Sequence, residues 1–558
     1  MVAETDYLTS GQIHFTGLGS GTDFETMIQK LVEIEGTRIK RLEARKQDIQ
    51  AKIDAFQELN SSMLSLKSTL SGMDTMKEFF IKTATSSNES LLTASASSDA
   101  EEGTHTIDIN QLAQNDIEMN NNGYSDSSAV INSSGSTKIF SYTYNSTTVS
   151  IDVPDGTTLE GLVNLVNQDA DNPGVRASLI FDGTNYYFQL RGLDLGDKYE
   201  VTIETDATDP LTGFTTTDFT ETQDAQNSQI RVDGWPTTTW IERETNSIND
   251  VITGLTLNLK DTGTVKITVT NDNEAIKEQI RTFVDQVNTI LTLIKEQSKV
   301  DPVSQKGSVL TGNYGLNMIQ EQIKNILAAK GIGFDYNEDT YPSLSNIGIT
   351  TDAQTGSPTL GLLLLDESKL DEALQKDPQA VAEIFSADLV PATNTSNFRY
   401  YSHIDGLTEG GIYDVTYSVD STGAITSATI DGEPASISNN IITSMNGSSK
   451  GLAIQVDNLT QGDYSGQIRL KKGKTGELIE KLEELTDSYN GPLHIMEDNY
   501  NDTIDNLDKK IAWEQKRIDN FERSMRNRYA RLEALLGYYD SLSNALSAQV
   551  SSLSTKSK

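Results

Sequence analysis

The chain has 558 residues, with 44 Lys and Arg against 81 Asp and Glu, four His and no Cys, for a formal charge of −37. At about 150 residues per domain this length predicts roughly four domains, and so acidic a surface repels a phosphate backbone, which excludes generic nucleic-acid binding. The absence of Cys rules out disulfide frameworks, thiolate zinc sites and cysteine nucleophiles, and four His leave little room for imidazole chemistry.

The N-terminus has no basic segment followed by an apolar one, so no Sec-type signal peptide is expected. Residues 1–20 also lack apolar periodicity, which predicts mobile ends in the isolated protein. From Ile28 a seven-residue stride meets Ile28, Glu35, Leu42, Ile49, Phe56, Met63 and Leu70, apolar at all but Glu35. Leu31, Ile39, Ile53, Leu59, Leu66 and Met73 fill a neighbouring column, interrupted by Arg45 and Lys46. Two apolar columns at this spacing predict a long coiled-coil helix within an N-terminal helical leg segment, residues 1–76. Thr22 and Glu25 form a plausible capping box, which puts the helix start near Asp23, and Gly36 is a candidate kink.

Residues 77–120 read as the first part of a β-rich domain, with Ile107 and Ile109 on the apolar face of a strand, and Asn120 to Ser136 reads as a linker. Residues 121–224 read as a compact α+β module: strands Ile139 to Tyr144 and Val149 to Val153, a helix from Thr158 to Asn167, then strands Val175 to Ile180 and Tyr186 to Leu190. Residues 225–395 read as the second part of the β-rich domain. Within them, Leu255-Leu257-Leu259 and Val265-Ile267-Val269, joined by a loop with Asp261 and Gly263, predict a hairpin, and Ile276 to Ile294 predicts an amphipathic helix. Residues 396–474 read as a further β-rich insertion. The longest apolar stretch, around Gly361 to Leu365, is far too short to cross a bilayer, so no membrane insertion is expected.

The C-terminal segment, 475–558, repeats the opening pattern. Ile504, Ile511, Ile518, Met525, Leu532, Tyr539, Leu546 and Leu553 form one column, and Leu507, Phe521, Leu535 and Leu542 lie in the second. Glu514, Arg528 and Gln549 interrupt the seam and are candidates to fix its register, while Gly537 marks a predicted break. Residues 28–52 hold seven Lys and Arg against four Asp and Glu, and residues 504–531 hold eight against five, so the terminal helices are mildly basic in an acidic chain. The fold class expected is therefore α+β multidomain: long terminal helices forming a coiled-coil leg, with β-rich middle and head domains.

Catalytic signatures are weak. Ser402, His403 and Asp405 are sequence neighbours, whereas triad members come from distant segments and strand neighbours point to opposite faces. Asp335, Asn337 and Asp339 open like a calcium loop, but Thr340 stands where Gly is required and Asn346 where Glu is required. No GxxxxGK[ST] or HExxH string occurs. Neither an enzyme nor a cofactor or metal site is expected.

Several stretches carry a family resemblance. Thr16 to Asp23 leading into Leu31-Val32 resembles the N-terminus of the bacterial flagellar filament cap family, hook-associated protein 2. Ala225 to Leu259 resembles its most recognisable internal block, with Val232-Asp233-Gly234, Thr245 to Ile252 and Gly254 to Leu259. Leu344 to Ile349, Leu370, Ala373-Leu374 and Val381 to Phe385 are similar to a second block. Ile151 to Asn167 with Gly174 to Ala177 resembles the flagellin-hook insertion module. Trp235, Pro236 and Trp240 to Glu244 lengthen the usual spacing, and residues 396–470 look like an extra head domain.

The resemblance implies an extracellular homo-oligomeric cap at the filament tip, pentameric or hexamer-like, exported by the flagellar type III system. Its implied partners are flagellin, other hook-associated proteins and an export chaperone, and its implied role is to fold and insert flagellin, prevent its leakage and so support motility. Two other readings stay open: a flagellin or hook-filament junction protein, and an adhesin whose head binds glycans, hinted at by Trp235 and Trp240.

Overall fold

The computed structural model describes residues 23–205, 208–301 and 305–555. The chain forms two compact units, one comprising the residues up to Asp74 together with Arg281 onward, the other Thr75–Ile280. The helices among the described residues are α1 (Phe24–Leu70), α2 (Met76–Phe79), α3 (Leu159–Gln168), α4 (Asn273–Ser298), α5 (Tyr314–Ala328), α6 (Glu367–Lys376), α7 (Pro378–Ser386), α8 (Lys474–Thr486) and α9 (Pro492–Thr555). The expected mobility of residues 1–20, the Thr16 to Thr22 motif and the Thr22 half of the capping box lie outside the described residues.

In the first unit, α1 packs on α9 and α8. Its start is fixed by Asp23, whose carboxylate accepts a hydrogen bond from the Thr26 backbone N–H at 3.0 Å and satisfies one of the orphan donors of the first turn. The hydrogen bond from Thr26 also holds the Asp23 carboxyl below its usual pKa. Contrary to the sequence expectation, Gly537 does not break α9, which runs through it, and α1 likewise runs on through Gly36. A Cβ added at either glycine would meet nothing within 4 Å, so both stand in open space on a helix surface, where Gly costs only about 1 kcal/mol relative to Ala.

The β-rich block of this unit, residues 390–471, has two antiparallel sheets. One pairs Val390–Thr393, Gly462–Lys471, Gly411–Val419, Ile425–Ile430 and Glu433–Pro434 in that order; the other pairs Phe398–Ser402, Ala453–Val456, Ile441–Thr443 and Ser436–Ser438. Period-two alternation turns Tyr413, Val415, Tyr417 and Val419 into a core shared with Ile430, Ile442, Ile454 and Ile468. Strand Gly462–Lys471 then leads into α8 through a buried ionic knot. Arg469 and Lys471 both engage Asp339, the latter at 2.6 Å, Lys471 also reaches Glu383 at 2.7 Å, and Lys474 donates to the Lys330 carbonyl at 2.8 Å.

The second unit begins with a sandwich. Its larger sheet has the order Lys82–Ser86, Gly263–Asn271, Gly103–Gln111, Ser228–Val232, Ile241–Arg243, and its smaller sheet has the order Ser247–Ile248, Leu255–Leu259, Leu92–Ala96. This corrects the predicted hairpin. Leu255–Leu259 pairs with Leu92–Ala96, while Gly263–Asn271 pairs with Lys82–Ser86 and Gly103–Gln111. The two strands therefore belong to opposite layers, and Leu257 and Ile267 meet in one core. The connecting Lys260 and Asp261 give their backbone N–H groups to the Leu91 carbonyl, which anchors the crossing between layers.

A head module is inserted between strands Gly103–Gln111 and Ser228–Val232. It holds a four-stranded sheet, ordered Phe219–Gln223, Ile117–Asn120, Tyr186–Gly192, Val175–Phe181, and a three-stranded sheet, Thr147–Val153, Lys138–Tyr144, Val201–Ile203. Helix α3 lays Leu159, Leu162 and Val166 on a core of Phe140, Tyr142, Phe188 and Phe214. The stretch read as a linker packs onto this core. Tyr124 stacks on Phe214 with ring centroids 6.3 Å apart, and buried Asn132 donates to the Val153 carbonyl at 2.8 Å.

Two stability outcomes follow from this packing. Ile267→Ala, at a fully buried position of the sandwich, should cost about 2–5 kcal/mol in denaturant unfolding, because the cavity adds to the lost transfer energy. Glu514→Ala should cost about 1–3 kcal/mol by leaving Arg38 and Arg517 without their shared carboxylate, read as faster hydrogen exchange in residues 30–50 and 505–525 with the sandwich unchanged.

Candidate functional site

Helices α1 and α9 run antiparallel, as their contacts show: residue numbers rise along one helix as they fall along the other. Phe24 stacks on Tyr529 with centroids 5.1 Å apart, Arg517 reaches Glu35 at 2.8 Å, Lys46 reaches Asp508 at 2.7 Å, and Phe56 stacks on Tyr500 at 6.1 Å. The Glu25 carboxylate accepts both terminal nitrogens of Arg526, at 2.7 and 2.6 Å. That fork lowers the pKa of Glu25 and raises that of Arg526.

Exposed ion pairs of this kind are individually weak, and the seam supplies most of the hold. Of the α1 positions singled out in the sequence, Ile28, Phe56, Met63 and Leu70 are buried, Leu42 and Ile49 are half-buried, and Leu31 is exposed. Along α9, Ile518 is buried, and Ile504, Ile511, Phe521 and Met525 are half-buried. Glu514 sits inside the seam at 2 % exposure, with Arg517 Nε donating to Oε2 at 2.8 Å and Arg38 Nε lying 3.0 Å from Oε1 as an ion pair without hydrogen-bond alignment. Arg517 shares α9 with Glu514, so it is the pair with Arg38 of α1 that resists slip of one helix past the other.

Past Tyr529 the seam has no partner among the described residues. Leu532, Leu535, Leu542 and Leu546 are 41–55 % exposed, and Tyr538, Tyr539 and Val550 are more than half exposed. The same heptad columns that bury their apolar side chains between Ile504 and Met525 thus continue as an open apolar stripe for a further twenty residues or so. Leu553 extends the column in sequence, but its side chain lies outside the described residues. The structure therefore brings the first part of the α9 seam together with α1 and leaves the last four named leucines apart from it.

The chemistry-bearing sets resolve into structural roles. His403 Nδ1 lies 2.6 Å from the Tyr400 hydroxyl and Nε2 lies 2.9 Å from Asp405, so both ring nitrogens are engaged away from Ser402. Gly447-Ser448-Ser449-Lys450-Gly451 meets the GxSxG spacing, a string sequence reading passes over. Its Ser449 is buried, with the hydroxyl 2.7 Å from that of Ser444. Asp339 of the calcium-like string is taken by Arg469 and Lys471. Of the two Trp residues that hinted at glycans, Trp235 is exposed, whereas the Trp240 ring is covered by the Arg231 guanidinium at 3.9 Å.

Comparison with known proteins identifies the family. The family profile of the flagellar hook-associated protein 2 C-terminus matches residues 225–541, that of its N-terminus matches residues 20–116, and the flagellin hook IN motif matches residues 128–190. The chain is similar to the B-type flagellar hook-associated protein 2 of Pseudomonas aeruginosa, 27% identical over 67% of this chain and 80% of that one. It is also similar to the flagellar hook-associated protein 2 of Escherichia coli strain K12, 24% identical over 67% of this chain and 80% of that one. A solved structure of the flagellar cap protein FliD D1-D2-D3 domains from Escherichia coli aligns with 60% of this chain and 91% of its own, at 24% identity and a TM-score of 0.46. With the C-terminal profile alone spanning more than half of its residues, this chain belongs to the flagellar hook-associated protein 2 family.

Proposed function

We propose that this protein caps the distal end of a bacterial flagellar filament as a ring-like homo-oligomer. In this reading its terminal helices attach to the filament and its β-rich modules cover the exit, so that exported flagellin folds and inserts beneath them and does not escape. The role is structural, without a catalytic step. The observation that carries the reading is the open apolar stripe of α9 beyond Tyr529, an extension of a seam that is elsewhere filled. Covering such a stripe is favourable in water, and a helical filament end offers grooves that accept an i, i+3, i+4 pattern of anchors. Family membership supports the same role.

Export by the flagellar type III route, an export chaperone covering the stripe before assembly, and neighbouring hook-associated proteins complete the proposed setting. The acidic modules between the basic-leaning terminal helices suit an outward-facing, soluble head. The flagellin and junction-protein alternative is disfavoured by the C-terminal family match, which begins at residue 225 and includes the whole interior of the chain after it. Of the two Trp residues that hint at a glycan-binding head, Trp235 is an open stacking face and Trp240 is covered by Arg231.

The test is the double substitution Leu532→Asp and Leu542→Asp. Each Leu buried on docking contributes about 1.5–3 kcal/mol, and each carboxylate forced into an apolar groove adds a desolvation cost. Both side chains are exposed in the isolated chain, so thermal melting of the purified variant should match the parent. Cells carrying it should secrete the variant and release flagellin as monomer into the medium, with few or no filaments by electron microscopy. Filaments of normal length would overturn the attachment role of α9.

A further inference from the structure

The passage between the sandwich and the head module in the second unit consists of two chain segments, residues 112–116 outward and 223–227 on return, joined by the bridge between Gln114 and Gln226. Amide side chains stitch this neck: Gln223 donates to the Asn115 carbonyl at 2.6 Å, Gln226 to the Leu112 carbonyl at 2.8 Å, and Asn115 to the Gly192 carbonyl at 2.6 Å. Five carboxylates gather at the same place, Asp116, Glu118, Glu200, Glu221 and Asp224.

Their arrangement is hard to reconcile with full ionisation. Glu118 and Glu221 are direct cross-strand partners in the antiparallel pair of Ile117–Asn120 with Phe219–Gln223, the register in which like charges destabilise a sheet. Asp116 is completely buried. Its Oδ2 accepts the Val201 backbone N–H at 2.6 Å, and its Oδ1, equally buried, has no hydrogen-bond partner. An unmet buried carboxylate oxygen beside other acids is a place for a proton.

The basic groups on neighbouring elements are directed elsewhere. Arg191, on strand Tyr186–Gly192, stands in register with Ile117 and Arg176, and Lys198 lies over the Tyr199 ring, 3.8 Å from Glu244. Burial, then repulsion from the neighbouring acids, pushes Asp116 up to about 6 and Glu118 up to about 7, although for Asp116 the Val201 N–H works in the opposite direction. Glu221 is raised by burial and by Asp224.

We propose that the neck is a proton-operated clasp: its carboxylates share protons while the two strands at the root of the head module, Ile117–Asn120 and Phe219–Gln223, are paired, and loss of those protons as pH rises loosens that pairing. The sign follows from linkage. Carboxyls whose pKa is higher in the folded than in the unfolded chain favour the folded form fully below the unfolded value, near 4, and that support is lost as pH climbs through about 6 to 7. The root of the head module is therefore firmest in mildly acidic surroundings and opens more often in neutral to alkaline ones. This device is independent of how the terminal helices attach.

Hydrogen exchange by mass spectrometry on the full chain, corrected for intrinsic rates, between pH 5.5 and 8.5 tests it. Protection of Ile117–Asn120 and Phe219–Gln223 should fall about ten-fold or more over that range, while the sandwich strands Gly103–Gln111 and Gly263–Asn271 change little. Asp116→Asn should flatten the response, and Glu221→Gln, at an exposed position that cannot upset the core, should reduce it even if the first variant folds poorly. A pH response of the same slope in the parent and in Glu221→Gln, or none in the parent, overturns the proposal. So does a neck that ignores pH but gains protection from millimolar calcium, which would mark a metal site instead.

Discussion

The antiparallel pairing of α1 with α9 is the constraint on which the first unit depends. It joins segments almost five hundred residues apart, so the chain closes a very long loop before any seam contact forms. Loop-closure entropy grows only slowly with loop length, which makes such a closure affordable, and everything between the two helices can then be inserted without disturbing their register. The buried Glu514 sharpens that register. A purely apolar seam with a seven-residue repeat can slide by one heptad at modest cost, whereas moving Glu514 away from Arg38 of α1 takes a cross-helix partner from a carboxylate buried in the seam.

The modules between the helices solve the same problem by different chemistry. The block at residues 390–471 is tied to α8 by buried ions, with Asp339 held by Arg469 and Lys471, and Lys474 capping the Lys330 carbonyl. In the second unit the head module meets the sandwich through amides and carboxylates. An ionic knot with matched charges is firm over a wide pH range. A junction with five acids and no paired base among the described residues is firm only while some of those acids are neutral, and that contrast sets the two modules apart in their response to the medium.

The open stripe on α9 connects stability to function. Residues from Ile504 to Met525 and residues from Leu532 to Leu546 follow one sequence pattern, yet the former are at least half-buried on the seam positions and the latter are exposed. An apolar face without a partner is a poor choice for a free protein and a good one for a subunit that spends its working life docked. The cost is carried by a helix that is otherwise rich in exposed charge, and Arg523 and Arg531 keep its other face well solvated.

What the sequence determines by itself is whatever repeats along one element. The heptad columns of α1 and α9, the apolar face of α4 and the alternating strands of the head module are visible as periods of 3.5, 3.6 and 2, because each residue in such an element meets the same kind of surface at fixed spacing. The family blocks were legible for the related reason that turns and close packings demand particular residues at particular offsets. Partner choice was not legible. Leu255–Leu259 and Gly263–Asn271 look like a hairpin since each has an apolar face and a turn lies between them, and only the competition from Leu92–Ala96 and Gly103–Gln111 sends them to opposite layers. Likewise, period alone makes Ile518 and Leu542 equivalent in kind, as apolar members of the same seam. It is the point at which α1 begins, with Phe24 against Tyr529, that decides which part of the α9 stripe is buried by the described residues of α1.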